Sequence, residues 1–395
     1  MPVPLGEFVE GLRAVLLSLA PRINELVLQS PRAEQSTLAD WGICERLEPL
    51  DSPLLRVAEP PKGRMACSCV DSSSRSVGFR GLRLFVGAAV LTTPAGLSSV
   101  PGPAVDAPFV AAKSYSPVLV ELESAAESAG LPVAVRSPAG YLYAEEEGYK
   151  DDNINDELRL SLEQRALEEA VSSGADYVLV DGPVVPTPPV LLSPSGESKY
   201  REAFEELILS ARGRARLVSS SPTPVLGLVK RCNASRKLAR CREVAALLES
   251  LGYGASLSAP DSVVVDAIAR AFYRERVSPA RAPIVMGPLE ADYGGRLPAK
   301  VMWYVWAPSP AGPAVFRLEA LREHADRLSG DVELAASLTI AESWPSGLPA
   351  KLMAVDRLAR RLSRALYLRL AGELSPFLAL TYDEAARLAE ARWAA

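Results

Sequence analysis

Two aspartates in this sequence each close a short apolar run: Asp71 ends MACSCVD and Asp181 ends YVLVD. A carboxylate at the end of a buried strand has a fixed backbone and a side chain that reaches past the sheet edge. Several such oxygens held together form a hard-ligand set suited to Mg²⁺ or Mn²⁺. Their like charges repel, and a bound dication relieves the repulsion. One or two cations held in this way serve phosphodiester hydrolysis. Gly182 follows Asp181 and permits a tight exit from the strand and close approach by a substrate. Taken singly, either Asp also fits the cap of a turn. Their joint occurrence after apolar strands, with a charged helix between them, favours a site.

That intervening helix offers the third acid. In LRLSLEQRALEEAVSSG, Leu158, Leu162, Ala166 and Ala170 follow the helical period. Glu163 lies beside this apolar face, where it can point over the sheet edge; Glu157, Glu168 and Glu169 compete with it. His324 is the single histidine. It falls in LREHADRL, read as a surface helix, and is given a structural or solvated place. A histidine-based hydrolase, a histidine general base and a multi-histidine zinc site are thereby disfavoured. The five cysteines, Cys44, Cys67, Cys69, Cys232 and Cys241, contain no C-x-x-C spacing. This argues against a disulfide scaffold and a four-cysteine zinc site and fits a cytoplasmic protein.

With 43 basic against 48 acidic residues the net charge is -5, so a general polyanion binder is disfavoured and any positive groove must be local. Two basic stretches stand out. Residues 207–242 lack any acid and carry Lys230, Arg231, Arg236 and Lys237 among others; residues 351–369 carry Arg357 and Arg360 with Asp356 as their only acid. The N-terminal stretch 5–30 has Phe8, Leu12, Leu16, Leu19 and Ile23 at helical spacing, with Glu7 and Glu10 inside the pattern. It reads as an amphipathic helix and neither a signal peptide nor a membrane span.

Further along, 64–71 and 81–91 read as two strands separated by a polar SSSR turn, while 116–130 is ambiguous between strand and helix. A helix near 199–210, a strand at 224–230 ending in Lys230, helices at 233–252 and 263–276, and an antiparallel pair at 301–308 and 314–320 follow. A long helix at 347–370 closes the pattern. Early hairpin, later strands with intervening helices and a late antiparallel pair together indicate a mixed sheet with helices on its faces. Proline-braced connections and Leu/Arg/Ala/Glu-rich helices lean toward a thermophile.

CVDSSSR at 69–75, YVLVDGPVV at 177–185, VLGLVKRCNASRKL at 225–238 and FRLEA at 316–320 resemble elements of the NurA family, archaeal and bacterial nucleases that work with the HerA translocase. The resemblance implies an α/β, ribonuclease-H-like mixed sheet flanked by helices, with helical N- and C-terminal additions. It divides the chain into an N-terminal helical region at 1–60 suited to dimerisation, a nuclease domain at 61–370 with a helical insertion around 233–290, and a helical extension at 371–395. Asp71 and Asp181 take the places of metal-binding carboxylates, Glu163 that of the acid on the helix between them, and Lys230 that of a lysine at the site margin. LPAKLMAVD at 348–356 matches the family's last element with two departures: Leu348 replaces a Tyr, and Asp356 replaces a His ligand.

The implied catalytic set is therefore Asp71, Glu163, Asp181, Lys230 and Asp356, whose four acids would hold one or two Mn²⁺ or Mg²⁺ ions. Arg75, Lys230, Arg231, Arg236, Lys237, Arg357 and Arg360 would hold DNA through its phosphates. The implied activity is 5′ to 3′ exonuclease action and single-strand endonuclease action in DNA end resection. The implied partners are DNA, a second copy of the chain and a hexameric HerA-type ATPase. No GxxxxGK[ST] motif occurs, so ATP use falls to that partner. The missing Tyr hydroxyl leaves open a nuclease-fold adaptor of the translocase, and the lack of any residue that senses a 2′-hydroxyl leaves open an RNA or junction substrate.

Overall fold

The computed structural model describes residues 46–50, 53–58, 65–80, 82–102, 109–113, 133–135, 151–186, 201–253, 259–275, 282–294, 297–309, 312–327, 348–376 and 378–393. The helix expected at 5–30 and the ambiguous stretch 116–130 lie outside them.

The strands are β1 (Arg46–Pro49), β2 (Leu55–Val57), β3 (Cys67–Phe79), β4 (Leu82–Thr93), β5 (Gly96–Val100), β6 (Val110–Lys113), β7 (Val133–Val135), β8 (Tyr177–Asp181), β9 (Val225–Val229), β10 (Ile284–Asp292), β11 (Lys300–Ala307) and β12 (Ala314–Leu321). The helices are α1 (Asp151–Val171), α2 (Arg201–Ser220), α3 (Arg242–Ser250), α4 (Asp261–Glu275), α5 (Arg322–Arg327), α6 (Ala350–Leu374) and α7 (Tyr382–Trp393).

All the strands join one sheet in the order β1-β10-β11-β12-β9-β8-β3-β4-β6-β7, with β2 on β10 and β5 on β4. Within it, β6-β4-β3-β8-β9 forms a unit in which β3, β4 and β6 are antiparallel neighbours and β8 and β9 run parallel to β3. With α1 before β8 and α2 before β9, this is the ribonuclease-H-like arrangement. Strands β12, β11, β10, β1 and β2 extend the sheet beyond β9 in antiparallel fashion, while β7 adds to β6 in parallel at the other end and β5 pairs with β4.

The period-two alternation of the central strands assigns each residue to a face. Val70, Val178 and Val180 pack in the same cluster as Leu158, Leu162 and Ala166 of α1. Cys67, Cys69, Tyr177, Leu179, Leu226 and Leu228 pack in another with Leu352, Val355 and Ala359 of α6. Helices α1 and α6 thus cover opposite faces of the central strands. Gly87 of β4 lies under α1, where an added Cβ would meet Leu162 at 2.6 Å. Gly227 of β9 admits the chain leaving β8, because a Cβ there would fall 2.2 Å from the Val184 nitrogen.

Several sequence expectations change. The SSSR segment is no turn: β3 runs unbroken through it, and Ser72, Ser73 and Ser74 pair with Ala89, Ala88 and Gly87 of β4. The chain reverses later, after Phe79, so Asp71 lies within a strand. The stretch expected as one helix at 233–252 is broken into two 3₁₀ turns, Cys232–Ala234 and Leu238–Arg240, followed by α3. Tertiary contacts hold the break: Arg317 donates to the Ser235 hydroxyl at 3.0 Å, and Asp261 Oδ1 accepts the Leu238 N–H at 2.9 Å. The helical insertion around 233–290 ends in a strand, β10, whose register shifts between Met286 and Leu289. Gly287 and Pro288 at that shift interrupt the alternation by which a strand is recognised. Strands β1 and β2 likewise lie in the region 1–60 expected to be helical, paired to β10. Finally, His324 is fully buried. Its Nδ1 accepts the Val225 N–H at 3.1 Å, and its other ring nitrogen lies 3.3 Å from the Ser221 carbonyl oxygen. Its place is structural, at the start of β9, and not on a solvated helix face.

Candidate metal centre

Parallel pairing puts Val70 opposite Val180, so the next residues, Asp71 within β3 and Asp181 at the end of β8, lie side by side. Alternation sends both side chains to the α6 face, the face of Cys69 and Leu179. Asp356 is there to meet them. It follows Val355 on α6, one turn beyond Leu352 and one turn before Ala359, all three of which pack on the sheet. One carboxylate oxygen from each of Asp71, Asp181 and Asp356 lies within 4.8 Å of the others. Lys230 enters by the same rule, two residues past Leu228 on β9, and its Nζ is 2.7 Å from Asp181 Oδ2.

The electrostatics of this cluster are unbalanced. Asp181 has Lys230, and Asp356 has Arg360, whose Nε donates at 3.0 Å from one turn along α6. Asp71 has no cation among the described residues. Its Oδ1 accepts the Ser72 N–H at 2.7 Å, whereas its Oδ2, buried within a residue only 2% exposed, meets no donor. Burial first, then the charges of Asp181, Glu163 and Asp356, push the Asp71 pKa up to about 9. Burial also raises that of Asp181, with Lys230 acting in the opposite direction. An orphaned carboxylate oxygen among three converging acids is a fit for a hard divalent cation, which would satisfy the oxygen and offset the repulsion.

Glu163 is not in this cluster. It projects from α1, on the opposite face of the sheet, and its carboxylate is engaged there: Oε2 accepts from Arg214 at 2.6 Å and Oε1 accepts the Ser72 hydroxyl at 2.5 Å. Arg214 is itself buried and also donates to the Val184 carbonyl oxygen at 3.1 Å. Because the residue after Asp71 bonds to it, Glu163 supports the site from behind. A helical wheel shows that Glu163 flanks the apolar stripe but cannot show which sheet face the stripe covers.

The three acids open onto a cavity of about 430 Å³ lined also by Ser72, Ser73, Ser74, Arg159, Gly182, Lys230, Arg231 and Arg360. Gly182 has φ 103°, a conformation that favours glycine, as the chain turns away from Asp181. Of the expected nucleic-acid contacts, Lys230, Arg231 and Arg360 line this cavity, and Arg75 lines a neighbouring one. Arg236, Lys237 and Arg357 line neither; Lys237 lies over the Tyr293 ring, 5.8 Å from its centroid. Arg159 was not anticipated. It stands one helical turn before Glu163, donates to the Ser72 hydroxyl at 3.3 Å and lines the cavity, and that i, i+4 spacing was the available signal.

The NurA domain model matches residues 68–361. The chain belongs to the NurA family. The match takes in Asp71, Asp181, Lys230 and Asp356, so the whole acidic cluster lies within the NurA domain. No curated protein matches the sequence. Among solved structures, the NurA nuclease from Sulfolobus solfataricus aligns at 13% identity over 94% of this chain and 98% of its own, with a TM-score of 0.45. A crystal structure of NurA with manganese aligns at 10% identity over 93% and 98%, with a TM-score of 0.46. A NurA structure bound to dAMP and manganese aligns at 10% identity over 90% and 93%, with a TM-score of 0.36. Membership rests on the domain match and not on these distant superpositions. Among the described residues, no helix of this NurA chain is long and apolar enough to cross a membrane.

Proposed function

We propose that this protein is a metal-dependent DNA nuclease that hydrolyses phosphodiester bonds at Asp71, Asp181 and Asp356. The observation that carries the reading is the buried Asp71 oxygen without a donor, set among three carboxylates of a NurA domain. Asp71, Asp181 and Asp356 would hold Mn²⁺ or Mg²⁺. When bound, such a cation polarises a phosphoryl oxygen and lowers the pKa of the attacking water.

The chain's own residues supply binding and charge balance. Lys230 lies against Asp181 and can turn its ammonium toward a phosphate entering the cavity. Arg159, Arg231 and Arg360 line the same space and can hold phosphate oxygens without reading bases. Gly182 offers no side chain to block the entry beside Asp181. Glu163, neutralised by Arg214, holds Ser72 and through it the backbone next to Asp71. It is a positioning residue in this scheme.

The finer reading follows the family: 5′ to 3′ exonuclease and single-strand endonuclease action in end resection, as a homodimer with a hexameric HerA-type ATPase. The N-terminal region 1–60 would supply dimer contacts. The test is degradation of labelled single- and double-stranded DNA by the purified protein with Mn²⁺, alone and with the ATPase. Wild type should degrade DNA, while Asp71→Asn and Asp181→Asn should remain folded and inactive. A wild type that degrades no DNA in either setting would sink the nuclease reading in favour of the adaptor. RNA degraded in preference to DNA would reassign the substrate.

A further inference from the structure

β3 is far longer than the strand beside it. It pairs with β4 through Cys69–Phe79 but with β8 only through Cys67–Val70. Beyond Asp71 its second edge is open among the described residues, with no strand of theirs paired to it over 72–77. The edge closes only at its far end, where Phe79 bridges Leu380 and the Thr381 N–H donates to the Gly78 carbonyl oxygen at 3.0 Å.

Two cavities lie along this open edge and share Ser74. The first contains the acidic cluster. The second, of about 570 Å³, is lined by Arg75, Arg364 and Arg387 with Asn155, Tyr367 and two acids, Glu384 and Glu390. Glu384 is buried and engaged, accepting the Tyr367 hydroxyl and, at 3.4 Å, the Gly78 N–H. Among the described residues neither Arg75 nor Arg364 has a carboxylate partner, and both are exposed, whereas Arg387 lies 3.8 Å from Glu384 Oε2.

The spacing of the two cavities is consistent on both walls. From Asp71 to Arg75 along β3 is about 13 Å at 3.3 Å per residue. From Asp356 to Arg364 along α6 is about 12 Å at 1.5 Å per residue. Both elements therefore carry an acid at one end and an arginine at the other over the same length. On the far wall, Arg159 lines the first cavity and Asn155, one helical turn earlier, lines the second.

We propose that a nucleic-acid strand lies along the open edge of β3, its scissile phosphate at Asp71, Asp181 and Asp356 and a later phosphate in the cavity of Arg75, Arg364 and Arg387. With successive phosphates of one strand about 6 Å apart through the sugar, the two positions are about two phosphates apart. The inference rests on the nuclease reading and adds to it a second phosphate subsite that fixes how much strand the enzyme grips. An open strand edge also suits an added polypeptide strand; Arg75 and Arg364, which have no carboxylate partner among the described residues, and the continuity with the acidic cavity favour a polyanion.

The test is fluorescence anisotropy of the full-length protein with labelled oligothymidylates of increasing length, Ca²⁺ replacing Mn²⁺ to slow cleavage. Wild-type affinity should step up once the oligonucleotide spans about three phosphates. Arg364→Glu with Arg387→Glu should remove the step, weaken binding of long oligonucleotides roughly tenfold per arginine, and reduce the slope of log affinity against log salt by about 1.4, at about 0.7 per lost single-strand contact. Arg165→Glu, on α1 outside both cavities, controls for net charge and should leave the step in place. If wild type degrades DNA but the double variant keeps both step and slope, the second subsite is overturned while the nuclease reading stands. That outcome would leave the open edge to a polypeptide. If wild type neither binds nor degrades nucleic acid, both fall.

Discussion

The molecule buries charge in two places, and it does so in opposite ways. Beyond β9, on the sheet face covered by the 3₁₀ turns and α4, Lys300, Arg317, Glu319 and Asp261 are nearly inaccessible. Their partners are complete. Arg317 reaches Glu319 through Nε at 2.9 Å and through a second nitrogen at 2.7 Å, Lys300 Nζ lies 3.3 Å from the same carboxylate, and the Tyr304 hydroxyl donates to Asp261 at 2.7 Å. Lys300 and Arg317 face Glu319 and Asp261, and Lys237 adds its charge toward Glu319. On the other face, Asp71, Asp181 and Asp356 outnumber the two cations beside them, Lys230 and Arg360, and one buried oxygen has no donor. A balanced network explains itself by holding the 3₁₀ segment to the sheet. An unbalanced one fits a cation from outside: without it Asp71 is held neutral by burial and its neighbours, with its pKa raised to about 9, and a hard dication would take the place of that proton.

The comparison predicts opposite responses to deleting a charge. The largest effect should be on activity: Asp71→Asn should lower Mn²⁺-dependent DNA degradation by about a thousandfold or more. The same variant, whose amide matches the neutral Asp71 carboxyl, should unfold in urea without metal at no lower a midpoint than wild type. A lower midpoint would show that the acid cluster is stabilising in its own right. In the balanced network, Arg317→Met should cost about 3–5 kcal/mol in urea unfolding, because it strands Glu319 and Asp261. A loss under about 1 kcal/mol would erase the distinction.

Glu319 sharpens the contrast through pH. Burial alone would raise its pKa, but Lys300 and Arg317 outweigh it and hold the carboxyl at about 2, against 4.5 when unperturbed. A depressed folded-state pKa stabilises above the unfolded value and loses that stabilisation as pH falls toward 2. Wild type should therefore lose about 3 kcal/mol more than Glu319→Gln between pH 5 and pH 2; parallel pH profiles would contradict the depressed value. The smallest effect expected is the response to metal. Mn²⁺ at a hundred times its dissociation constant should stabilise wild type by about 2.7 kcal/mol, read by thermal unfolding, and should leave Asp71→Asn unmoved. An equal shift in both would place the cation elsewhere.

Much of this arrangement was legible in the residues. The YVLVDG run identified β8, VMWYVWA and AVFRLEA identified the β11–β12 pair, and the apolar spacing of α1 and α6 gave both helices to within a few residues. These elements are long and regular, with periodicities that local burial alone imposes. Less regular ones escaped. Polar SSSR passed for a turn because only the partner strand shows that its serines continue a ladder. Gly287 and Pro288 hid β10, and the helix expected at 233–252 was cut by Asp261 and Arg317, residues distant in sequence.

The same division runs through the candidate site. Composition and strand-end position singled out Asp71 and Asp181, resemblance brought in Asp356 and Lys230, and helix position nominated Glu163. Sequence by itself determined which side chains share a face of each element, since that follows from the fixed geometry of strand and helix. Which face meets which is settled only when the elements pack. That step set Asp356 on α6 above the two strand aspartates, turned Glu163 toward Arg214 on the far side, and left the edge of β3 open beside the cluster. Periodicity is a property of one segment, whereas convergence of charge is a property of several.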